Sequence, residues 1–294
     1  MKVLITGSAG FIAPHLIEAC LNHGWTVLGI DILDCGFKHP RFFFRQKDVR
    51  ELTLEDLKGI DYIFHLAFVT NIPNSIRNPI DTTYDNVDMS IYLLDLAAKA
   101  GVKKFLFAST ASLYGNNPIP WHEDLPPQPI EPYSWQKLAI EYACKMWSRC
   151  YGLPTVNFRF FQVFGENQRK DTALAAFLRA KKEGRPITLT ETTAQSSFRT
   201  GQRDFIYVKE LAEACVLAAK CDKVWNGEII NIGSGKLTSM EDIAKTIGRE
   251  IAWIPKRGFE VERHQADISR ANQWLNWYPR VDILQWLKDF VKTL

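Results

Sequence analysis

The sequence contains no Cys-x-x-Cys pair, and its six cysteines (Cys20, Cys35, Cys144, Cys150, Cys215, Cys221) have no histidine at ligand spacing. That pattern argues against structural zinc and a disulfide framework, and points to buried thiols in a reducing compartment. No apolar run approaches the roughly 18 residues that a membrane-spanning helix requires. The opening Met-Lys-Val-Leu-Ile-Thr-Gly meets glycine after a short apolar run, which predicts no secretory leader. A cytoplasmic protein with no membrane partner is expected. Charge is not concentrated either. Lys and Arg number 36 against 33 Asp and Glu, a formal +3, and the basic residues are scattered. No nucleic-acid partner is expected, although a local anion pocket is allowed. The nine tryptophans lack basic neighbours and read as packing residues.

What is present is a globular composition, with 46% hydrophobic and 23% charged residues over 294 positions. That length suits one large domain or two modest ones sharing a cleft. Apolar runs at 2–6, 26–31, 42–47, 62–66, 104–109 and 155–160 predict strands. Amphipathic stretches at 11–23, 80–100 and 133–151 predict the helices between them. Strand–helix alternation with unbroken apolar strands implies a parallel sheet covered on both faces. After Gly165 the rhythm changes. Helical patterns at 173–183, 208–220, 240–248 and 283–294 surround a strand-like 228–232 and a polar loop at 190–202. A smaller mixed α/β cap is the expectation for this part.

The first predicted strand runs straight into Gly7-Ser8-Ala9-Gly10-Phe11-Ile12-Ala13 and then a helical pattern. Glycines serve where a turn is tight and backbone must approach a pyrophosphate; the helix start then offers unpaired N–H groups to the anion. Gly7, Gly10, Phe11 and Ile12 are the expected contacts. Pro14 falls in the first helical turn, where its missing N–H costs little. Asp31 ends the second strand, placed to accept hydrogen bonds from an adenosine ribose and to repel a 2′-phosphate, so NAD is favoured over NADP. Asp48 and Val49 follow the third strand and could bracket an adenine ring. Leu66 and Ala67 end the fourth, where small residues let a cofactor lie close, while His65 reads as a packed strand-end histidine. Together these features predict an α/β fold with a Rossmann-type doubly wound parallel sheet. Residues 1–165 would form the NAD-binding domain, with a return segment near 204–232, and 166–294 mainly a C-terminal substrate-binding domain.

Tyr133 and Lys137 stand four apart at a helix start, on one face. A phenol with a pKa of about 10 is a poor base at neutral pH. A neighbouring ammonium favours the phenolate and makes proton exchange with a hydroxyl feasible. Upstream, the fifth strand ends in Ala108-Ser109-Thr110-Ala111-Ser112-Leu113-Tyr114-Gly115, which puts hydroxyls where open α/β sheets bind ligands.

In this ordered set the sequence resembles the extended short-chain dehydrogenase/reductases, which include the sugar-nucleotide epimerases and dehydratases. The resemblance runs over nearly the whole chain. It also takes in the Ser75/Pro79/Asn86 spacing, 159–165, 203–208, 231–235 and 266–269. It implies that Tyr133 is the acid/base and that Lys137 binds the nicotinamide ribose and depresses the Tyr133 pKa. It implies a Thr110 hydroxyl on the sugar O4, Ser109 beside the nicotinamide, and Phe160 to Val163 flanking that ring. Ser112, Gln162 and Arg203 would meet a nucleotide-sugar substrate, with Arg203 on the diphosphate and Arg257 or Arg263 as a second phosphate contact. Gln162 stands where the family motif has asparagine, which suggests an altered sugar pose. The loop 190–202 is longer than usual and would cover the nucleotide.

Absences narrow the reaction. Family dehydratases place an Asp-Glu pair after the threonine, decarboxylases a glutamate and 3,5-epimerases a cysteine, whereas this chain has Ala111 and Ser112. What remains needs hydride transfer and one tyrosine, as in 4-epimerisation of a UDP-hexose or related sugar with NAD recycled in place. The alternative is an NAD(P)H-dependent 4-keto-sugar reductase. Below both stand a dehydratase and a non-catalytic NAD-binding sensor. Family helices equivalent to 80–100 and 133–151 pair across a dimer, so a homodimer is expected, built on Ile91, Leu93, Leu94, Leu96, Ile140 and Met146.

Overall fold

The structure is a computed structural model that describes residues 1–192, 196, 198–223, 225–255 and 261–294. The chain begins with β1 (Lys2–Thr6), α1 (Ala13–Asn22), β2 (Thr26–Asp31), β3 (Phe42–Gln46) and β4 (Tyr62–His65). Then come α2 (Ile72–Arg77), α3 (Pro79–Thr83), α4 (Met89–Lys99), β5 (Lys104–Thr110), α5 (Pro132–Tyr151) and β6 (Thr155–Phe160). The next part holds β7 (Gln162–Phe164), α6 (Ala173–Lys182), β8 (Ile187–Thr190), β9 (Gln202–Arg203), β10 (Phe205–Tyr207), α7 (Val208–Lys220) and β11 (Asn226–Ile232). The described chain closes with β12 (Thr238–Ser239), α8 (Met240–Ile247), β13 (Ile251–Ile254), α9 (Ser269–Leu275) and α10 (Ile283–Phe290).

Seven strands form the central sheet in the order β11-β6-β5-β4-β1-β2-β3, every pairing parallel. The chain starts at the middle, winds out to β3, returns to β4 and winds out the other way. Between β1 and β4 the direction of winding reverses, and a doubly wound sheet binds ligands at that crevice. Side chains divide by strand parity. Val3, Ile5, Val27, Leu106 and Phe158 join the core beneath α1 and α7. Leu4, Leu28, Ile63, Phe105 and Phe107 join the one beneath α4 and α5. A separate core unites Phe164, Leu174, Phe177, Ile187, Phe205, Ile243 and Leu287, around the two-stranded pairs β7–β10 and β8–β13.

The predicted helix 80–100 is divided. Pro79 starts α3, and a wider helical turn at Tyr84–Asp88 separates it from α4, where the buried Asn86 bonds both its neighbours' elements. Sequence reasoning gave 71–77 no element; Asn71 caps α2 there, accepting a 2.8 Å bond from the Asn74 N–H. The polar stretch 190–202 turns back on itself in its described part, with Glu191 bridging Thr200 and the Thr192 N–H donating to the Arg199 carbonyl. Residues 193–195 and 197 of that stretch lie outside the described residues.

Buried polar contacts fix the layers. Lys104 Nζ donates to the carbonyls of Ala218, Ala219 and Cys221 at 2.8–3.0 Å, satisfying the end of α7 from the start of β5. The Arg159 fork meets the Glu141 carboxylate at 3.0 and 2.7 Å, with side chains 2% and 3% exposed. His65 lies between Thr6 Oγ1 (2.7 Å) and Ser90 Oγ (2.8 Å). Ser90 gives its one proton to the Asn86 carbonyl, so His65 Nε2 donates and Nδ1 accepts from Thr6. This neutral ring is wholly buried, which pushes its pKa down to about 3, helped by the Lys137 charge.

Removing one partner of the ion pair strands a buried charge. Glu141→Ala is expected to lower unfolding free energy by about 3–5 kcal/mol, and adding Arg159→Met should recover part of it in urea titrations. A depressed His65 pKa means that the unfolded chain takes the proton first. Stability is complete above pH 6.5 and falls toward pH 3, by at most about 1.4 kcal/mol per pH unit from this group. His65→Asn should flatten that acid limb in unfolding measured from pH 7 to pH 4.5.

Candidate active site

Gly7 follows β1 at φ 71°, and a Cβ there would lie 2.7 Å from the Ala67 nitrogen. Any side chain at residue 7 is therefore excluded by both the backbone and the end of β4. The turn is closed by the Gly10 N–H on the Gly7 carbonyl (3.0 Å) and by the Gly7 and Ser8 N–H groups on the Ile30 carbonyl. Phe11 and Ile12 then lead into α1, whose first N–H groups have no partner within the helix. This cradle suits a pyrophosphate.

Asp31 accepts from the Ala9 N–H (2.9 Å) and the Leu33 N–H (3.0 Å), tying the glycine turn to the end of β2. Asp31 also lines a cavity at the strand ends, with the exposed Ile32 and Leu33. The Asp48 carboxylate caps the turn Val49–Glu51 and pairs with Arg50 at 2.9 Å, which holds it below its usual range. Arg50 in turn lies over the Tyr84 ring.

A cavity of about 780 Å³ runs across the C-terminal strand ends. Among its walls are Gly7, Gly10, Phe11, Ile12, Asp31, Asp48, Val49, Leu66 and Ala67, and also Ser109, Thr110, Ser112, Tyr133, Lys137, Phe160, Gln162 and Val163. A glycine turn, an acidic strand end and hydroxyls at β5 are the donor and acceptor set that a dinucleotide needs, and the cavity is large enough to hold one.

Tyr133 enters from the first turn of α5, which Glu131 caps through the Ser134 N–H. Burial pushes the Tyr133 phenol up to about 12 and Glu131 adds to it, while a hydrogen bond with Thr110 and the charge of Arg169 pull it back. Lys137 Nζ donates to the Ala108 carbonyl at 2.5 Å, and its own pKa is driven well down by burial. Ser109 borders the cavity, and its hydroxyl donates to Glu141 Oε1 at 2.5 Å. Thr110 and Ser112 hydroxyls lie 3.2 Å apart.

A second cavity of about 400 Å³ lies against α6, β8 and β9, and shares Gln162, Asp171 and Thr172 with the first. Arg203 lines it, its NH1 donating to the Gln202 and Glu262 carbonyls at 3.0 and 2.9 Å. Arg263 is not brought to either cavity. It is exposed, bonded to Gln202 Oε1 at 3.1 Å and set over Phe198, because adjacent residues on an extended segment point to opposite sides. Arg257 lies outside the described residues.

Two residues escaped sequence reasoning. Arg169 pairs with Asp171 and bonds the Thr70 hydroxyl, which spans the cavity from the segment after β7 to the segment after β4. Phe68 lies over Lys137. Neither belongs to a spacing motif, and both contacts are tertiary.

The sequence model of the NAD dependent epimerase/dehydratase family matches residues 3–233. The chain is 31% identical to UDP-glucuronate 4-epimerase of Thermodesulfobacterium geofontis, over 98% of this chain and 94% of that one. The structure of a UDP-N-acetylglucosamine 4-epimerase from Methanobrevibacter ruminantium superposes with a TM-score of 0.90 at 29% identity, covering 99% of this chain and 97% of that one. A UDP-glucuronic acid 4-epimerase from Bacillus cereus, bound to UDP-glucuronic acid and NAD, gives 0.89 at 29% identity over 100% and 99%. With a glycine turn under an acidic strand end and a tyrosine–lysine helix beside it, this chain belongs to the NAD-dependent epimerase/dehydratase family of extended short-chain dehydrogenase/reductases.

Proposed function

We propose that this protein inverts C4 of a UDP-hexose or related nucleotide sugar through a 4-keto intermediate. The observation that carries this reading is the junction of the two cavities. Tyr133, Thr110 and Ser112 line the first cavity with Gln162, which the second cavity shares, while Ala111 and Ser112 occupy the places where the resemblance puts the acid and base of elimination chemistry. The relatives act on different UDP-sugars, glucuronate and N-acetylglucosamine, and share C4 as the centre inverted. The Gly7–Ile12 turn and Asp31 would hold NAD, which would supply reversible hydride exchange at C4.

Tyr133 takes the O4 proton as C4 is oxidised and gives it back on reduction, with the Thr110 hydroxyl bonded to the same oxygen. A phenol at about 12 is a reluctant base, so positive charge close to it sets the rate. Lys137 and Arg169 are the protein cations available for that task. Arg203 suits a diphosphate because its planar fork bonds two oxygens at once. Gln162 touches the sugar at the point where the two cavities meet, and Ser112 lies within reach of it. Residues 1–165, with the return near 204–232, form the cofactor half in this reading, and 166–294 mainly the sugar-nucleotide half. Six free thiols suit the cytoplasm, where we propose it works.

The dimer reading shifts from its sequence form. Leu93, Leu94, Leu96 and Ile140 pack internally, so they serve the core and not an interface. Ile91 and Met146 do face outward, with Tyr84, Trp135 and Tyr142, along α4 and α5. This outward stripe is the face we assign to a homodimer.

Denaturing the purified protein should release stoichiometric NAD(H), and UDP-hexoses should then equilibrate at C4. An empty protein that prefers NADPH would favour a 4-keto reductase instead. Tyr133→Phe should keep its NAD and lose about 10²–10⁴ in kcat, read by product chromatography. Tyr142→Glu should shift sedimentation from dimer to monomer at micromolar concentration; a monomeric wild type would refute the interface.

A further inference from the structure

Lys137 is the buried cation of this site, 3% exposed, and its surroundings are unusual for an ammonium. One N–H goes to the Ala108 carbonyl. The rest of the group faces rings: the Phe68 centroid is 3.5 Å from Nζ and the Phe107 centroid 4.7 Å, with the Tyr133 ring at 5.9 Å. Phe68 also meets Tyr133 edge-on, centroids 5.9 Å apart at 82°. Its position is fixed from behind. The Asn86 amide accepts from the Val69 N–H (2.6 Å), donates to the Val69 carbonyl (3.1 Å), and donates to Gln136 Oε1 (2.8 Å), the residue before Lys137. One side chain therefore sets the spacing between the Phe68 segment and α5.

We propose that Phe68 is a positioning residue whose ring face keeps the Lys137 ammonium charged and seated between the Ala108 carbonyl and Tyr133. The proposal rests on the reading of Tyr133 and Lys137 as the reacting pair. A desolvated ammonium is drawn to the negative face of an aromatic ring, and the attraction is strongest where water is excluded. The need is plain from the other neighbours. Burial drives Lys137 toward its neutral form. Glu141, one turn along α5, opposes that but is already engaged by Arg159 and Ser109. His65 on β4 is neutral, and Tyr133 is a neutral phenol at physiological pH. Strand β5 offers only a carbonyl and the Phe107 ring. Without charge on Lys137, the phenolate of Tyr133 loses its nearest helix-borne cation.

The test compares Phe68→Leu, which keeps apolar bulk and removes the ring face, with Phe68→Tyr, which keeps the face. In protein carrying ¹³C-lysine, the Lys137 Cε signal, assigned by its loss in Lys137→Met, is followed against pH. Phe68→Leu should titrate about one pH unit lower than wild type, and Phe68→Tyr within a few tenths. The alkaline limb of the kcat profile should move down with it, while KM for the nucleotide sugar holds. An unshifted Phe68→Leu overturns the proposal, and so does a Phe68→Tyr that shifts as far as leucine. Phe68→Met replaces leucine if that variant does not fold. A wild type that epimerises nothing would defeat the functional reading alone, since the Lys137 titration still reports the ring contact.

Discussion

Glu141 and Arg159 meet out of water between α5 and β6, and the shape of the reaction centre follows from how that contact is satisfied. Oε1 takes both the Arg159 Nε and the Ser109 hydroxyl, and Oε2 takes NH2. Arg159 lies over Tyr114, whose hydroxyl donates to Asn231 on β11. A chain of polar contacts thus crosses β5, β6 and β11 directly below the helix that carries Tyr133 and Lys137. Apolar contacts alone would tolerate sliding of α5 along the sheet. A guanidinium fork on a carboxylate does not, because its two bonds specify both distance and rotation.

Asp204 plays the matching part between Arg203 and Phe205, which line the second cavity. Its carboxylate accepts from the Ser234 N–H and hydroxyl, the Gly235 N–H and the Ala266 N–H, at 2.6–3.0 Å. Burial raises its pKa and these donors oppose the rise. Two distant segments, 234–235 and 266, are gathered on one side chain, and Arg203 stands next to it in sequence. The second cavity therefore inherits its geometry from a residue that does not line it.

Much of this was legible in the sequence, wherever the chemistry depends on neighbours in the chain. Unbroken apolar runs alternating with amphipathic stretches predicted the sheet, and Gly7, Asp31, Tyr133 and Lys137 stand at spacings that local backbone geometry explains. The remainder depends on contacts between strangers in sequence. The Ser109 hydroxyl turns to Glu141, and Leu93 and Ile140 turn inward while Tyr142 turns outward; helical spacing alone does not say which face meets the sheet. β8 and β13 have four residues each and pair only with one another, so neither carries enough periodicity to be read alone. Arg257 and Arg263 are equivalent charges on paper, and only the folded segment shows that Arg263 lines neither cavity.

The return of β11 to the sheet carries one more consequence. β6 is complete at Phe160, but its outer neighbour arrives only at 226–232, after the whole of β7 to α7. During synthesis, or in any fragment ending between them, β6 presents an open, apolar edge of unpaired N–H and C=O groups. Such an edge is a template for pairing with other chains. The family match closes at residue 233, one residue beyond β11, where that edge is sealed. The sheet built by the first half of the chain is therefore incomplete without the strand at 226–232.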